Sequence, residues 1–536
     1  MDGWGIAPAG PGNAISLSNL SAIPRLWASF PHGKLIASGE AVGLPKGEDG
    51  NTETGHLNLG AGRVVYQDLP RINMAIADGS FFQNEAFQGA IAHCQKNSSN
   101  LHLLGLIGSG GVHSNMEHLF ALLWFVKNSN FSRVYLHLIT DGRDSPPKSA
   151  VTYIAQIKDE ITRVGVGTIA SVTGRYFAMD RDQRWERTEK AYVALTEGKG
   201  LTASSATAAV EQAYQKNSTD EFIEPTLITR DGVPTALIKD NDAVIFFNYR
   251  IDRPRQLTKA FVLTDFSTQA KQSDYDPYAI KYFKKHIINQ TPQEPFKRNL
   301  FLGNLLFVTM TEYEKKLPVT VAFPPQSVAT PLGKVISDNG LHQLRMAETE
   351  KERFVTYYFN GQREEPFRGE DHLIVPSAKV PTYDLKPEMS AHELTQELMK
   401  KISQKIYDFI VINFANPDMV AHTGVIPAAI KACETTDTCV GIIAQAVLNQ
   451  DGCCFITADH GNVEEMIDPV TGGIDTEHST YPVPFLCVNN DFRGKTQELP
   501  SGMLADVAPT ILSTMGIPIP STMNGRNLLA YIQRGG

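Results

Sequence analysis

Cysteine is scarce, with six residues in 536. There is no CxxC pair, and Cys453 and Cys454 are adjacent in an apolar run, where neighbouring strand residues face opposite ways. A disulfide scaffold is excluded, and the usage points to a reducing, cytoplasmic setting. Long apolar runs are missing too. "FALLWFV", from Phe120, falls far short of the ~20 residues that span a bilayer, so no membrane partner is expected. The opening "MDGWGIAPAG" has no basic segment followed by an apolar core, and reads as no secretion signal. Low-complexity tracts, internal repeats and an excess of basic charge are also absent. The net charge of -9 speaks against a general nucleic-acid partner. What remains is a globular composition, 42% hydrophobic and 20% charged, in a chain too long for one ordinary core.

The apolar residues that are present come in short runs ending in polar clusters. "VYLHLITDGRD" (134–144), "AVIFFNYRIDR" (243–253), "DFIVINFANPD" (408–418) and "CCFITADHGN" (453–462) read as buried strands that stop at charged residues. Helical periodicity covers 115–128, 184–197, 391–403 and 426–449. Strand and helix alternate, which predicts an α/β fold with mainly parallel sheets flanked by helices. Ligands of such sheets bind beyond the carboxyl ends of the strands, where these polar clusters fall. Residues 64–73 and 314–325 read as linkers. If the chain leaves one domain at the first and returns at the second, residues near 72–315 form an inserted domain and the two flanking halves share a sheet.

Asp418 and His422 are four apart, which on a helical turn puts carboxylate and imidazole on one face. Asp459 and His460 are adjacent at another strand end, His478 lies in a later loop, and Asp2 opens the chain. Oxygen and imidazole donors without thiolate suit Mn²⁺ or Zn²⁺. Arginines form a second constellation: Arg143 with Asp144, then Arg175 and Arg181, then Arg250 and Arg253, all able to grip phosphate or carboxylate. Arg184 and Arg187 begin a helical pattern and are expected to face solvent. Thr52, in "GEDGNTETGHLNLGAGR" (47–63), is either a nucleophile in a glycine-rich bend or an ordinary turn residue.

The segments "DGWG", "GNTETGHLNLGAGR", "GSGGVHS", "DGRDSPP", "GRYFAMDRD", "NYRIDR", "VAFPP", "AETEKERF", "YDLKPEMS", "NPDMVAH", "TADHGN" and "HSTYPVP", in this order, carry a resemblance. The chain resembles, essentially end to end, the 2,3-bisphosphoglycerate-independent phosphoglycerate mutases of the alkaline-phosphatase-like superfamily. The resemblance implies a discontinuous phosphatase-like metal-binding domain at 1–70 and 316–536, and an inserted substrate-binding domain at 71–315. It implies a monomer that interconverts 3-phosphoglycerate and 2-phosphoglycerate in glycolysis and gluconeogenesis through a phosphoenzyme, with two Mn²⁺ ions and no 2,3-bisphosphoglycerate. Asp418, His422 and His478 match the ligands of one metal. Asp2, Asp459, His460 and Thr52 match those of the other, with Thr52 at the nucleophile position. Lys351 matches a lysine beside the transferring phosphate, and Arg250 and Arg253 match its arginines. His113, Arg143, Asp144, Arg175 and Arg181 match groups that hold the substrate, over which the inserted domain would close. The alternative reading is a metal-dependent phosphohydrolase on the same scaffold. The family usually has serine where Thr52 stands, and an aspartate where Ser109 stands. It also places an apolar strand ahead of "DGWG". That strand is expected upstream of Met1, and without it a gap in the sheet and a weakly anchored Asp2.

Overall fold

Continuous apolar runs become strands covered on both faces. Leu101–Ile107 is buried at every residue, and Val134–Thr140 at all but Tyr135. The structure, a computed structural model, describes residues 1–271 and 294–533; the stretches 272–293 and 534–536, which fall within the expected domain ranges, lie outside it. The chain divides into two compact units, one of Met1–Pro70 with Gln326–Gly536, the other of Arg71–Pro325.

The second unit is built on one sheet. Its path runs Thr320–Phe323, Leu306–Thr311, Ala243–Phe246, Leu101–Ile107, Val134–Thr140, Thr168–Gly174, Thr226–Arg230 and Leu201–Ala203. Pairing is parallel except where Thr226–Arg230 meets Thr168–Gly174 and the short Val233–Pro234. From Leu101–Ile107 the chain builds outward one way through 134–140 and 168–174. It later builds the other way through 243–246, 306–311 and 320–323. The strand order therefore reverses between Leu101–Ile107 and Ala243–Phe246, which is where an open α/β sheet leaves a crevice. Helices Met116–Asn128 and Trp185–Glu197 occupy two of the expected helical stretches.

The divide between the units falls within the first expected linker and at the end of the second, but both segments carry regular structure. Thr320–Phe323 is a strand, paired in parallel with Leu306–Thr311, so the expected limit at 315 falls inside the second unit. Residues 68–73 open the helix Asp68–Asp78. Pairing with a neighbouring strand, which local composition does not reveal, decides the state of so short a segment.

In the first unit, His32–Ile36 pairs antiparallel with Val483–Val488 and parallel with Gly502–Met503, and Val483–Val488 pairs with Cys454–Thr457. A separate parallel sheet runs Glu370–Val375, Gln343–Glu348, Phe409–Ile412. Helices Ala391–Gln404 and Ile426–Leu448 pack against each other in this unit. A cleft of about 650 Å³ is lined by Ile410, Ile412, Phe455, Ile443 and Ile511, from both sheets and the helices covering them. Asp2 lies among these elements, placed by backbone contacts on both sides. The Met1 amine donates to the Thr457 carbonyl at 2.8 Å, the Asp2 N–H donates to the Phe414 carbonyl at 3.0 Å, and Asp2 is fully buried. Among the described residues no helix is long and apolar enough to cross a membrane.

Candidate active site

Thr52 is the first residue of helix Thr52–Ala61, capped by the Asn51 side chain, which accepts from the Thr54 N–H. The first turn of a helix offers unpaired N–H groups and the positive end of the dipole, a setting that favours anions. The helix approaches Asp459 so closely that a Cβ on Gly55 would lie 2.5 Å from the Asp459 carbonyl oxygen; glycine is required there. Asp459 and His460 follow strand Cys454–Thr457, Asp418 lies in the short helix Asn416–Ala421 beyond Phe409–Ile412, and Lys351 ends a turn after Gln343–Glu348. Strand ends thus converge on one place.

Three histidines are oriented in the same way. His422 Nδ1 donates to the Thr476 carbonyl at 2.7 Å, His478 Nδ1 to Gly50 at 2.8 Å, and His460 Nδ1 to Gly461 at 3.1 Å. A carbonyl only accepts, so the ring hydrogen sits on Nδ1 and each Nε2 points inward. The Nε2 atoms of His422 and His478 are 3.2 Å apart, and lie 3.3 and 3.5 Å from Asp418 Oδ1. His460 Nε2 is 3.5 Å from Asp2 Oδ1 and 2.9 Å from the Thr52 hydroxyl oxygen. Lys351, buried, donates to Asp2 Oδ1 at 2.6 Å, Asp418 Oδ2 at 2.7 Å and Thr52 Oγ1 at 3.1 Å.

These atoms form three overlapping groups able to hold a cation: Asp418, His422 and His478; Asp2, Asp418 and His460; Asp2, His56 and Asp459, each with its donor atoms within 4.8 Å of one another. The donor set is carboxylate and imidazole, and Asp459 Oδ2 is buried beside His56 Nδ1 at 3.2 Å. This donor set fits divalent metal ions. The charges are strongly coupled. Burial works against ionised Asp418, but Lys351, His422 and His478 more than reverse it and hold the carboxyl well below its ordinary range. Burial works against a charged His460, but Asp459 and Asp2 pull its pKa up to about 10.

In the second unit His113, Asp144, Arg175, Arg181, Arg250 and Arg253 follow the carboxyl ends of the neighbouring strands Leu101–Ile107, Val134–Thr140, Thr168–Gly174 and Ala243–Phe246. Arg175, almost fully buried, donates from one nitrogen to Asp141 Oδ1 and Asp144 Oδ2, both at 2.5 Å. Asp252 gathers Arg181 at 2.5 Å, Arg250 at 3.2 Å and His113 at 3.8 Å. Burial, then the charge of Arg175, lowers His113 to about 3, so its ring is neutral at neutral pH. Burial, then Arg175 and Arg181, lowers Arg253 to about 10, with Asp252 opposing them. Arg143 stands apart: its side chain is over half exposed and pairs with Glu221 at 3.6 Å. Ser109 shares a hydrogen bond with the Tyr153 hydroxyl at 2.8 Å.

Solvent-facing Arg184 and Arg187 need correction. Arg187 pairs with buried Asp180 at 3.3 Å and covers the Tyr176 ring at 3.7 Å. Arg184 is only partly exposed and pairs with Asp182 at 3.5 Å. Sequence reasoning also passed over several residues. Asp252 and Asp141 organise the arginines. Asn462 donates to Asp418 Oδ1 at 2.8 Å, and Glu464 accepts from the N–H of Gly5 and of Asn462. Their signal was nearness to motif residues, since Asn462 directly follows "DHG" and Glu464 lies two positions further on.

A family profile described as "BPG-independent PGAM N-terminus" matches residues 72–315. The chain is 51% identical over 530 residues to the 2,3-bisphosphoglycerate-independent phosphoglycerate mutase of Clostridium beijerinckii, covering 99% of this chain and 98% of that one. It is 51% identical over 534 residues to the Chloroflexus aggregans protein of the same name, covering 99% and 97%. A crystal structure of Leishmania mexicana phosphoglycerate mutase, described as at low cobalt concentration, aligns over 98% of this chain and 96% of that one, with 27% identity and a TM-score of 0.56. The chain belongs to the 2,3-bisphosphoglycerate-independent phosphoglycerate mutase family and is an isomerase.

Proposed function

We propose that the protein moves the phosphoryl group of 3-phosphoglycerate onto Thr52 and from there to the 2-hydroxyl of the same glycerate, aided by two divalent metal ions, in the cytoplasm and as a monomer. The carrying observation is the position of the Thr52 hydroxyl. It sits at a helix amino end, 2.9 Å from His460 Nε2 and 3.1 Å from Lys351 Nζ, beside the overlapping ligand groups.

Asp418, His422 and His478 would hold one ion, and Asp2, Asp459, His460 and Thr52 the other. Mn²⁺ suits these donors, and the Leishmania relative's cobalt crystals are consistent with a divalent transition metal. Such an ion, when bound, lowers the pKa of a hydroxyl and neutralises phosphoryl oxygens. The rest of the chemistry belongs to the chain. Thr52 gives up its hydroxyl proton and its Oγ1 attacks phosphorus in line, the bond to the C3 oxygen breaks and that oxygen takes up a proton, and Lys351 offsets charge on the phosphoryl oxygens. The glycerate turns, its 2-hydroxyl attacks the phosphothreonine, and Thr52 is regenerated. His113, Asp144, Arg175, Arg181, Arg250 and Arg253 would hold the glycerate carboxylate, hydroxyls and phosphate meanwhile; Arg143, from its exposed position, would contribute at the rim.

The test is a coupled assay for 2-phosphoglycerate beside an assay for free phosphate, with and without 2,3-bisphosphoglycerate. Formation of 2-phosphoglycerate without added bisphosphoglycerate, and with little phosphate release, is expected. Phosphate as the main product would make the protein a phosphohydrolase.

A further inference from the structure

Two buried polar side chains of the first unit, His56 of the third ligand group and Asn413, take no part in the proposed reaction. His56 lies one helical turn after Thr52, and Asn413 directly follows strand Phe409–Ile412; each is 4% exposed. Their contacts fix where the hydrogens are. His56 Nδ1 lies 3.0 Å from the Thr52 carbonyl oxygen, which only accepts, so Nδ1 carries the ring hydrogen. Asn413 Nδ2 lies 2.7 Å from Asp2 Oδ2. A carboxylate oxygen also only accepts, so the amide turns its NH₂ toward Asp2 and not its oxygen. The same nitrogen lies 3.1 Å from His56 Nε2, which must take the second amide hydrogen. One arrangement satisfies all three contacts: Nδ1 protonated, Nε2 bare.

This arrangement leaves Asn413 Oδ1 buried without a hydrogen-bond partner, which stability alone would not select. It also turns the hydrogen-bearing edge of the His56 ring toward Asp459, whose Oδ2 is 3.2 Å from Nδ1. With its bare nitrogen engaged by Asn413, His56 orients the neighbouring carboxylates and does not ligate. Asp2 is gripped through Oδ2 alone by Asn413, so its Oδ1 faces Lys351 at 2.6 Å and His460 at 3.5 Å.

We propose that His56 and Asn413 are positioning residues. They tie the Thr52 carbonyl, through the imidazole and the amide, to Asp2 Oδ2, setting the helix turn that carries Thr52 at a fixed distance from the Asp2 carboxylate and aiming Asp2 Oδ1 into the site. The consequence for catalysis rests on the reading of Thr52 as nucleophile; the tie itself does not.

The experiment has two arms. In the metal-free protein, ¹⁵N NMR of labelled histidine, with the His56 signals assigned by loss in His56→Gln, reads the tautomer directly. The tie requires Nδ1–H with bare Nε2, and release of that state in Asn413→Leu. Hydrogen on Nε2, or on both nitrogens, overturns the proposal whatever the enzyme does. In the metal-loaded protein, His56→Phe and Asn413→Leu should each lower kcat by roughly 10- to 100-fold, as loss of an outer-shell partner does elsewhere, with a much smaller change in KM. The double variant should be no worse than the poorer single one, because both break the same tie. His56→Gln, which keeps a donor and an acceptor, should recover most of the rate. Losses that multiply in the double variant, or that appear only in KM, overturn it. Wild-type protein that binds no Mn²⁺ would overturn the metal reading of the site, and the NMR arm would still decide the tie.

Discussion

The hydroxyl oxygen of Thr52 lies 2.9 Å from Nε2 of His460, whose other ring nitrogen is pinned to the Gly461 carbonyl. The hydroxyl is therefore held where charge can be stabilised. Thr52→Ala should abolish mutase activity in a folded, metal-loaded protein. Thr52→Ser should remain active, since only the β-methyl that restricts χ1 is lost. Steady-state kinetics of both variants checks this, and a fully active alanine variant would require the chemistry to be reassigned.

Metal binding should compete with protons. In the metal-free arrangement Asp459 and Asp2 raise His460 to about 10 against the effect of burial, and Asp418 raises His422. Both histidines must lose a proton to ligate, so affinity rises with pH, by up to about tenfold per unit for each proton displaced. Chelation should remove activity and Mn²⁺ restore it. The acid limb of the pH–rate profile should move to lower pH as Mn²⁺ is raised. His113, lowered to about 3, should leave no mark on it above pH 5. An acid limb indifferent to Mn²⁺ would contradict this.

Arg253 is a buried cation among other arginines. Burial, then Arg175 and Arg181, lowers its pKa, and its guanidinium donates to the Met179 carbonyl at 3.2 Å. An anion there relieves the repulsion. Arg253→Ala should raise KM and lower kcat together, by a combined factor of roughly 30 to 150 in kcat/KM, in keeping with loss of a charge-assisted contact worth about 2–3 kcal/mol. Unchanged kinetics would remove it from the site.

Arg175 carries structure. Its guanidinium sits between Asp141 and Asp144, both at 2.5 Å, with almost no exposure. Removing it strands two carboxylates, one of them buried, so Arg175→Met should cost about 3–5 kcal/mol. Hydrogen exchange in Val134–Thr140 and Thr168–Gly174 should rise while the first unit is unaffected. Unchanged exchange there would contradict the buried-pair reading.

Glu348 offers a test of stability against pH. Its carboxylate is fully buried. Burial, with Glu350 and Glu393, outweighs the contributions of Ser377 and Ser390 and raises it to about 7 from 4.5. The folded state binds this proton more tightly than the unfolded state. The penalty is therefore absent below pH 4.5, grows through the interval, and is complete above about 7. Glu348→Gln should stabilise the protein by roughly 2–3 kcal/mol at pH 8 and hardly at all at pH 4.5. Melting curves at the two pH values check this, and an equal shift at both would contradict it.

The strands were legible because each apolar run gives way to a polar cluster: Ile412 before the segment with Asp418, Thr457 before Asp459 and His460, side chains that the fold brings close together. The helices were legible from their periodicity, Ile426–Leu448 among them. Hidden were features decided by tertiary neighbours. Thr320–Phe323 is a strand only because Leu306–Thr311 lies beside it. Arg187 looks like a surface residue until Tyr176 and Asp180 meet it. His56 and Asn413 are 357 positions apart, and no local pattern could join them.

The most direct measurement is to quench the enzyme with acid during turnover of 3-phosphoglycerate labelled in its phosphate, and to map the phosphopeptide by mass spectrometry. The account predicts the label on Thr52, in wild-type protein and not in Thr52→Ala. Label on another residue, or turnover with no labelled protein at any quench time, would contradict it.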